Sequence, residues 1–178
     1  MFMNRGAFSM SREYDVLDIA RYIINKCNNE EIIISNLKLQ KLLYFVQGYT
    51  FAFTGHRCFS DKIEAWSYGP VCPRVYHEFK KYGSDAIPPI NYYEVVEFDG
   101  DSIQWVEKKF SSLDIDQDTR DTIDVIIEKF GHISAIKLVY ITHSQAPWIE
   151  TYNNPNKHDD TIDENLIKKF FTHQVYGG

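Results

Sequence analysis

The sequence predicts a mainly α, α+β fold: a compact helical domain of about six helices with a small β-sheet or hairpin. The chain has 178 residues, which is the usual size of one domain. Hydrophobic residues make up 44% of it and charged residues 25%, as in ordinary globular domains. Apolar residues recur at three- and four-residue spacing along most of the chain, whereas strand-like alternation is confined to short stretches.

The first helix is predicted over residues 15–27. Its apolar stripe has the spacing of an amphipathic helix and consists of Val16, Ile19, Ala20, Ile23, Ile24 and Cys27. A short β-branched run follows at residues 32–34 and either is extended or packs beneath the next helix.

The second helix is predicted from about residue 37 to residue 54. Ser35 or Asn36 can cap its amino terminus, and Gly55 is a suitable residue to end it. Its apolar arc is wider than that of a surface helix, which predicts a central position with contacts on several sides. A more polar side is marked by Lys38, Lys41 and Gln47.

The middle of the chain has the first β signal. Residues 63–67 alternate as in a short strand, and they lead into the turn Tyr68-Gly69-Pro70. A short helix is then predicted over residues 73–82, because Pro73 is tolerated in a first helical turn and Gly83 can end the helix.

A β-hairpin is predicted next. Residues 93–98 and 103–106 are its strands, and the Asp99-Gly100 pair between them is typical of a tight hairpin turn of the primed type. The sequence therefore predicts about three short strands in total.

The last third of the chain is predicted to be helical. Asp116 or Asp118 can cap a helix that ends at Phe130, before Gly131, and Ser134 opens another helix through residue 142. A final helix follows a capping-box pattern, and its apolar face consists of Leu166, Ile167, Phe170 and Phe171. The capping box pairs Thr161 with Glu164.

Composition narrows the function classes. The net charge is −6, which disfavours nucleic acid as a partner. The 12 Phe, 12 Tyr and 3 Trp residues suit a protein-binding surface as well as a core. Three cysteines in a chain of this size, without a signal-peptide pattern or an 18-residue apolar run, predict a cytoplasmic protein that is not bound to a membrane.

Signatures of catalysis are missing from the sequence, so we predict that the protein is not an enzyme and needs no cofactor. It has no glycine-rich phosphate loop, no H-E-x-x-H pair and no G-x-S-x-G elbow. Four residues could in principle bind zinc, but no pair of them has the tight spacing of a zinc site, so we predict no metal: His56, Cys58, Cys72 and His77. A Cys–His nucleophile and a Glu64–Glu78 carboxylate pair are conceivable but equally unspecific.

A helix-turn-helix in which Lys38 and Lys41 contact phosphates is a weaker alternative. About eight residues separate the first two predicted helices, whereas the turn of a DNA-reading motif has about three to four. The sequence therefore disfavours direct DNA binding.

Four short motifs are more specific than the composition requires. They are L-K-L-Q-K-L-L-Y from Leu37, A-W-x-Y-G-P-V from Ala65, V-Y-x-x-F from Val75 and T-H-x-x-x-P-W from Thr142. In this order they resemble the Panacea domain, the SocA-like antitoxin domain that is also found in phage-associated proteins of the GepA type. The resemblance extends over residues 14–152, which leaves residues 1–13 as an extension and residues 153–178 as a helix and tail packed on the same domain.

The resemblance implies the antitoxin of a bacterial or prophage toxin-antitoxin system. Such a domain binds a cognate protein toxin encoded nearby and neutralises it. One branch of the family implies an alternative, in which the antitoxin is an adaptor that delivers the toxin to a cytoplasmic ATP-dependent protease. A DNA-binding regulator is the remaining alternative.

Within the motifs, the leucines of the second helix are expected to fill the core, and Gly69 and Pro70 to shape a turn. The two tryptophans could also cover the core with their indole N–H groups bonded. The amphipathic and polar members are the candidates for a partner-binding surface: Lys41, Tyr44, Gln47, Trp66, Tyr68, Tyr76, His143 and Trp148.

Overall fold

The computed structural model describes residues 12–100 and 102–177. Within these residues the chain forms seven α-helices and two separate two-stranded antiparallel sheets, which confirms the predicted mainly α, α+β class. The elements are α1 (Val16–Asn29), α2 (Asn36–Thr54), β1 (Glu64–Trp66), β2 (Gly69–Val71), α3 (Pro73–Phe79), β3 (Tyr92–Asp99), β4 (Ser102–Lys109), α4 (Gln117–Phe130), α5 (Ala135–His143), α6 (Ala146–Tyr152) and α7 (Glu164–Tyr176).

Helix α2 is the centre of the fold, as its wide apolar arc predicts. The Ser35 side chain accepts a hydrogen bond from the Lys38 backbone N–H at its start, and Gly55 ends it in the left-handed conformation with a φ of 78°. Helices α1, α4, α5 and α7 and strand β2 all pack against it. The prediction of a polar side at Lys38, Lys41 and Gln47 is wrong, because these three side chains are at most 8% exposed.

An aromatic cluster joins α2 to α4 and α7. The rings of Phe45 and Phe130 stack with their centroids 4.3 Å apart. The buried ring of Phe171 on α7 lies edge-on to Tyr44 at 5.3 Å and to Tyr49 at 5.0 Å. Such pairs add stability beyond the area that they bury, so α7 is an integral part of the core.

Most helix starts agree with the sequence, and two details differ. Asp116 and Ser134 cap α4 and α5 as predicted. The capping box at residues 161–164 is wrong, because Asp163 is the residue whose side chain accepts from the backbone N–H of Asn165. A separate helix, α6, also begins at Ala146, where no helix was predicted.

The first sheet is a small hairpin that closes over α2. Glu64 pairs with Val71, Ala65 with Pro70 and Trp66 with Gly69. Only the first of these two strands was predicted, because Gly-Pro-Val has no alternation to recognise. Gly69 has a φ of 95°, a conformation that favours glycine.

The second sheet is the predicted hairpin, with longer strands. β3 and β4 pair from Tyr92–Lys109 at the base to Asp99–Ser102 at the tip, and Gly100 in the turn has a φ of 61°. The segment before β3 is tied to α1, because Asn25 exchanges hydrogen bonds with the backbone of Ile90. Within residues 12–100 and 102–177, none of the helices is both long enough and apolar enough to cross a bilayer.

Candidate functional site

Polar residues in and beside the first motif point into the protein. Asn36, Gln40, Lys41 and Gln47 are each at most 3% exposed. A buried polar side chain is costly unless it is hydrogen-bonded, so the partners of these four residues decide their role.

Asn36 and Gln40 hold the connection between β2 and α3. The Cys72 backbone N–H donates to Gln40 Oε1 at 2.9 Å, and Gln40 Nε2 donates to Asn36 Oδ1 at 2.9 Å. Asn36 Nδ2 in turn donates to the Tyr76 carbonyl at 3.0 Å. Two side chains one helical turn apart thus bind the motifs at residues 65–71 and 75–79 to α2.

Gln47 fixes a second loop. Its Oε1 accepts from the backbone N–H groups of Cys58 and Phe59 at 2.9 and 3.3 Å, and its Nε2 donates to the Phe59 carbonyl at 2.8 Å. One amide side chain therefore satisfies three buried backbone groups of the loop that follows α2.

Lys41 lies under the turn between β1 and β2. Its Nζ donates to the Pro70 carbonyl at 2.8 Å, and no ion pair to it is found among the described residues. Burial of the ammonium group lowers the pKa of Lys41 to about 7. A Cβ atom on residue 69 would lie 2.9 Å from Lys41 Cε and 2.7 Å from Thr142 Oγ1, which is too close for both. The turn can therefore approach Lys41 this closely only because residue 69 is glycine.

The buried Lys41 predicts a pH-dependent stability. Its pKa is lower in the folded protein than the ordinary 10.5, so the unfolded chain binds more protons between about pH 7 and pH 10. The free energy of unfolding is therefore expected to rise with pH from 7 to 9, by at most about 1.4 kcal/mol per pH unit from this residue. Urea titrations of the wild type and Lys41→Met at pH 6, 7, 8 and 9 measure this contribution. An equal pH slope in both proteins would contradict it.

The exposed part of the motifs surrounds a pocket of about 260 Å³ between β1, α2 and α3. The rings of Trp66 and Tyr76 meet edge to face with centroids 5.1 Å apart, and Tyr68 is 62% exposed beside them. We call this the motif pocket; its lining includes Asn36, Gln40, Trp66, Tyr68, Tyr76 and Lys80.

The fourth motif is hydrogen-bonded to strand β1 through Trp148. Trp148 Nε1 donates to the Trp66 carbonyl at 2.9 Å. The Trp148 ring is stacked between His143 and Tyr152, with centroid distances of 3.9 and 4.5 Å. Burial lowers the pKa of His143, and the nearby charge of Lys41 lowers it further by a smaller amount. The imidazole that stacks on the Trp148 indole is therefore favoured in its neutral form.

The eight predicted partner-binding residues thus lie at different depths. Lys41, Tyr44 and Gln47 are buried in the core and are absent from the surface of this structure, and Trp148 is only 8% exposed. Trp66, Tyr76 and His143 are half-buried, and Tyr68 is exposed. The structure brings three of the eight together at the motif pocket: Trp66, Tyr68 and Tyr76.

Sequence reasoning missed the outer side of the β3–β4 hairpin, where apolar residues are exposed. The order of apolar residues along the two strands could have indicated this exposed surface. Apolar residues occupy both faces of this hairpin, whereas a hairpin packed on one side needs only one apolar face.

The three cysteines are unsuited to act as nucleophiles. All three are buried and unpaired, and burial raises the pKa of Cys27 and Cys58 to about 12 and that of Cys72 to about 11, so the unreactive thiol form is favoured. In the part of the chain that the structure describes, no three His, Cys, Asp or Glu residues are arranged to hold a metal ion.

The DNA-contact alternative loses its basis. It required Lys38 and Lys41 on the surface, but Lys38 is 8% exposed and donates to the Gly131 carbonyl, and Lys41 is fully buried. Neither side chain can contact a phosphate in this structure.

Comparison with known proteins adds two findings. A family model described as "Antitoxin SocA-like, Panacea domain" matches residues 39–149. The protein named "Antitoxin SocA" from Caulobacter vibrioides (strain NA1000 / CB15N) is 33% identical over 150 residues, which cover 79% of this chain and 72% of that protein. No solved structure matches.

Proposed function

The chain belongs to the antitoxin SocA-like, Panacea-domain family, which supports an antitoxin role in a toxin-antitoxin system, and from this we propose that it neutralises a cognate protein toxin by direct binding. The observation that carries the proposal is the family match, which contains the motif pocket almost whole. Direct binding suits a molecule whose cysteines are inert and whose described residues hold no metal-ligand cluster.

The motif pocket is the proposed contact site for the toxin. Two aromatic rings form its wall and an exposed tyrosine stands at its rim, and Tyr and Trp are frequent anchors of protein interfaces. The buried amides of Asn36 and Gln40 hold the pocket backbone in place, so the pocket exists before the partner arrives. Preorganisation of this kind lowers the entropic cost of binding.

The proposed setting is the cytoplasm, and the proposed mechanism involves neither catalysis nor a cofactor. Three unpaired thiols suit a reducing compartment. The net charge of −6 would accelerate association with a basic toxin, and this acceleration would weaken as salt is added.

A growth assay tests this function. The protein encoded by the adjacent reading frame is induced alone and together with this chain, and we expect growth arrest in the first case and rescue in the second. The two proteins should also co-purify in a fixed stoichiometric ratio. A harmless neighbour, or an arrest that this chain does not relieve, would reject it as the antitoxin of that gene pair.

A chase experiment in the same strains separates neutralisation from delivery to a protease. Direct neutralisation predicts that the half-life of the toxin in a chase experiment does not shorten when this chain is present. A toxin that disappears faster, and does so only in cells with the ATP-dependent protease, would replace the proposed mechanism with the adaptor mechanism.

Tyr68 provides the variant that tests the pocket. Tyr68→Ala is expected to weaken the toxin complex about 10- to 30-fold, since truncating an interface tyrosine costs about 1.4 to 2 kcal/mol. Its free energy of unfolding should stay within about 0.5 kcal/mol of wild type, because the side chain is exposed.

Tyr176→Ala is the matched control for Tyr68→Ala. The two tyrosines are 64% and 62% exposed, and Tyr176 lies at the end of α7, outside the motif pocket. Titration calorimetry should show wild-type affinity for this control. If both variants bind like the wild type, the motif pocket is not the contact site.

A further inference from the structure

The β3–β4 hairpin has one face that no described residue covers. Side chains alternate along each strand and directly paired residues share a face, so the register assigns four pairs to this side. From base to tip they are Tyr92–Lys109, Glu94–Glu107, Val96–Trp105 and Phe98–Ile103. We call these eight residues the outer face.

The tip half of the outer face is apolar. Phe98 is 76% exposed, Trp105 71% and Ile103 65%, with Val96 at 39% between them. Isolated apolar residues on a surface are ordinary, but four contiguous ones that include two aromatic rings are typical of an interaction site.

The opposite face of the hairpin already has a partner. The Arg21 guanidinium of α1 lies 3.6 Å from the centroid of the Tyr93 ring, and Val95 and Val106 are half-buried. Lys108 forms an ion pair with Glu97 at 2.7 Å on that same face. The hairpin is therefore anchored through one side, and its apolar outer face is turned away from α1.

The base half of the outer face carries two adjacent glutamates, Glu94 and Glu107, which we call the acidic step. Glu94 lies directly opposite Glu107, and like charges in this position destabilise a strand pair. No ion pair to either carboxylate is found among the described residues. In the free protein the two carboxylates repel each other, and a cation placed between them would remove the repulsion.

We propose that the outer face is a second contact surface for the toxin, which offers an apolar cleft to Phe98 and Trp105 and an Arg or Lys to Glu94 and Glu107. This inference rests on the proposed antitoxin function and specifies the chemistry of its partner. An arginine fits the acidic step best, because its planar guanidinium can bind two carboxylates at once.

The charges argue against a second copy of this chain as the occupant. A two-fold contact between outer faces, centred on the Val96–Trp105 pair, would set the acidic step of one copy against the apolar tip of the other if the axis crosses the strands. If the axis runs along the strands, it would set the two acidic steps against each other. Two carboxylates would then lose water without gaining a cation, which is costly. A toxin with a basic residue beside an apolar cleft avoids this cost.

The test compares matched double variants in the growth assay and in titration calorimetry with the purified product of the adjacent gene. Phe98→Thr with Trp105→Thr keeps residues that favour strands, and we expect about a hundredfold weaker binding. Leu113→Thr with Tyr140→Thr is the control, because these side chains are 78% and 71% exposed elsewhere, and it should bind like the wild type.

The acidic step has its own variants. Glu94→Lys with Glu107→Lys should weaken binding at least about tenfold more than Glu94→Gln with Glu107→Gln, and the difference should shrink as salt is raised. Circular dichroism and thermal unfolding are measured for each variant to test whether its fold is intact.

Each failure has a distinct meaning. If the wild type rescues growth and both outer-face variants bind within threefold of it, the second contact surface is wrong and the antitoxin function stands. If the wild type neither binds nor rescues, the function fails and this inference fails with it. If the wild type is a dimer that the Phe98→Thr, Trp105→Thr variant dissociates while toxin binding persists, a second copy occupies the outer face and the inference is overturned.

Discussion

Replacing Gln47 by Leu is expected to lower the free energy of unfolding by about 3 to 5 kcal/mol, because three buried backbone groups lose their partner at once. Gln47 accepts from the N–H groups of Cys58 and Phe59 and donates to the Phe59 carbonyl. Leucine fills a similar volume but offers no polar atom, so both N–H groups and the carbonyl stay desolvated without a hydrogen bond. Such a loss is a large fraction of the stability of a typical domain. Equilibrium unfolding in urea measures it.

The control for Gln47→Leu is Gln174→Leu, the same chemical change at an exposed position of α7. It should alter the free energy of unfolding by no more than about 0.5 kcal/mol. Equal losses in the two variants would show that the loop at residues 58–59 does not depend on the Gln47 amide.

Gly48→Ala is expected to destabilise the protein by about 3 kcal/mol through overpacking between α2 and α7. An added Cβ would lie 2.2 Å from Cδ2 of Phe171. The Phe171 ring is held edge-on by Tyr44 and Tyr49 and is 1% exposed, so it has no free space to move into. The lost packing outweighs the better helix propensity of alanine, which is worth about 1 kcal/mol. Thermal and urea unfolding both report the difference.

A double-mutant cycle with Phe171→Leu identifies the cause. The smaller side chain costs stability by itself but leaves room for the alanine methyl, so the double variant should be more stable than the sum of the single losses predicts, by about 1 kcal/mol or more. Strict additivity would mean that the penalty at residue 48 does not come from the contact with Phe171.

Local chemistry explains why much of the fold could be predicted. The caps at Ser35, Asp116 and Ser134 and the turn at Gly100 depend on residues a few positions apart, and the structure has them where the sequence places them. Helix α6 was missed because its seven residues are too few for a helical period to be recognised.

The candidate site was predicted less completely, because depth is not a local property. Lys41 lies in the first motif and Gln47 follows it on the same helix, and a polar residue on a helix normally indicates the solvent side. Here both residues are buried, because backbone groups of later segments supply their hydrogen bonds. Tyr68 lies on the surface, since a turn residue beside Gly69 is exposed in most folds.

The sequence by itself determined the family, through four motifs in order, and the type of most elements, through periodicity and caps. Only the tertiary structure decided which motif side chains build the core and which reach the motif pocket. Gln40 meets the backbone N–H of Cys72, which lies 32 residues further along the chain. Tertiary packing alone also decides that one apolar face of the hairpin stays uncovered, with Phe98 and Trp105 exposed on it. The physical reason is that burial depends on which distant segments pack around a residue, whereas helical and strand periodicity depend on its near neighbours alone.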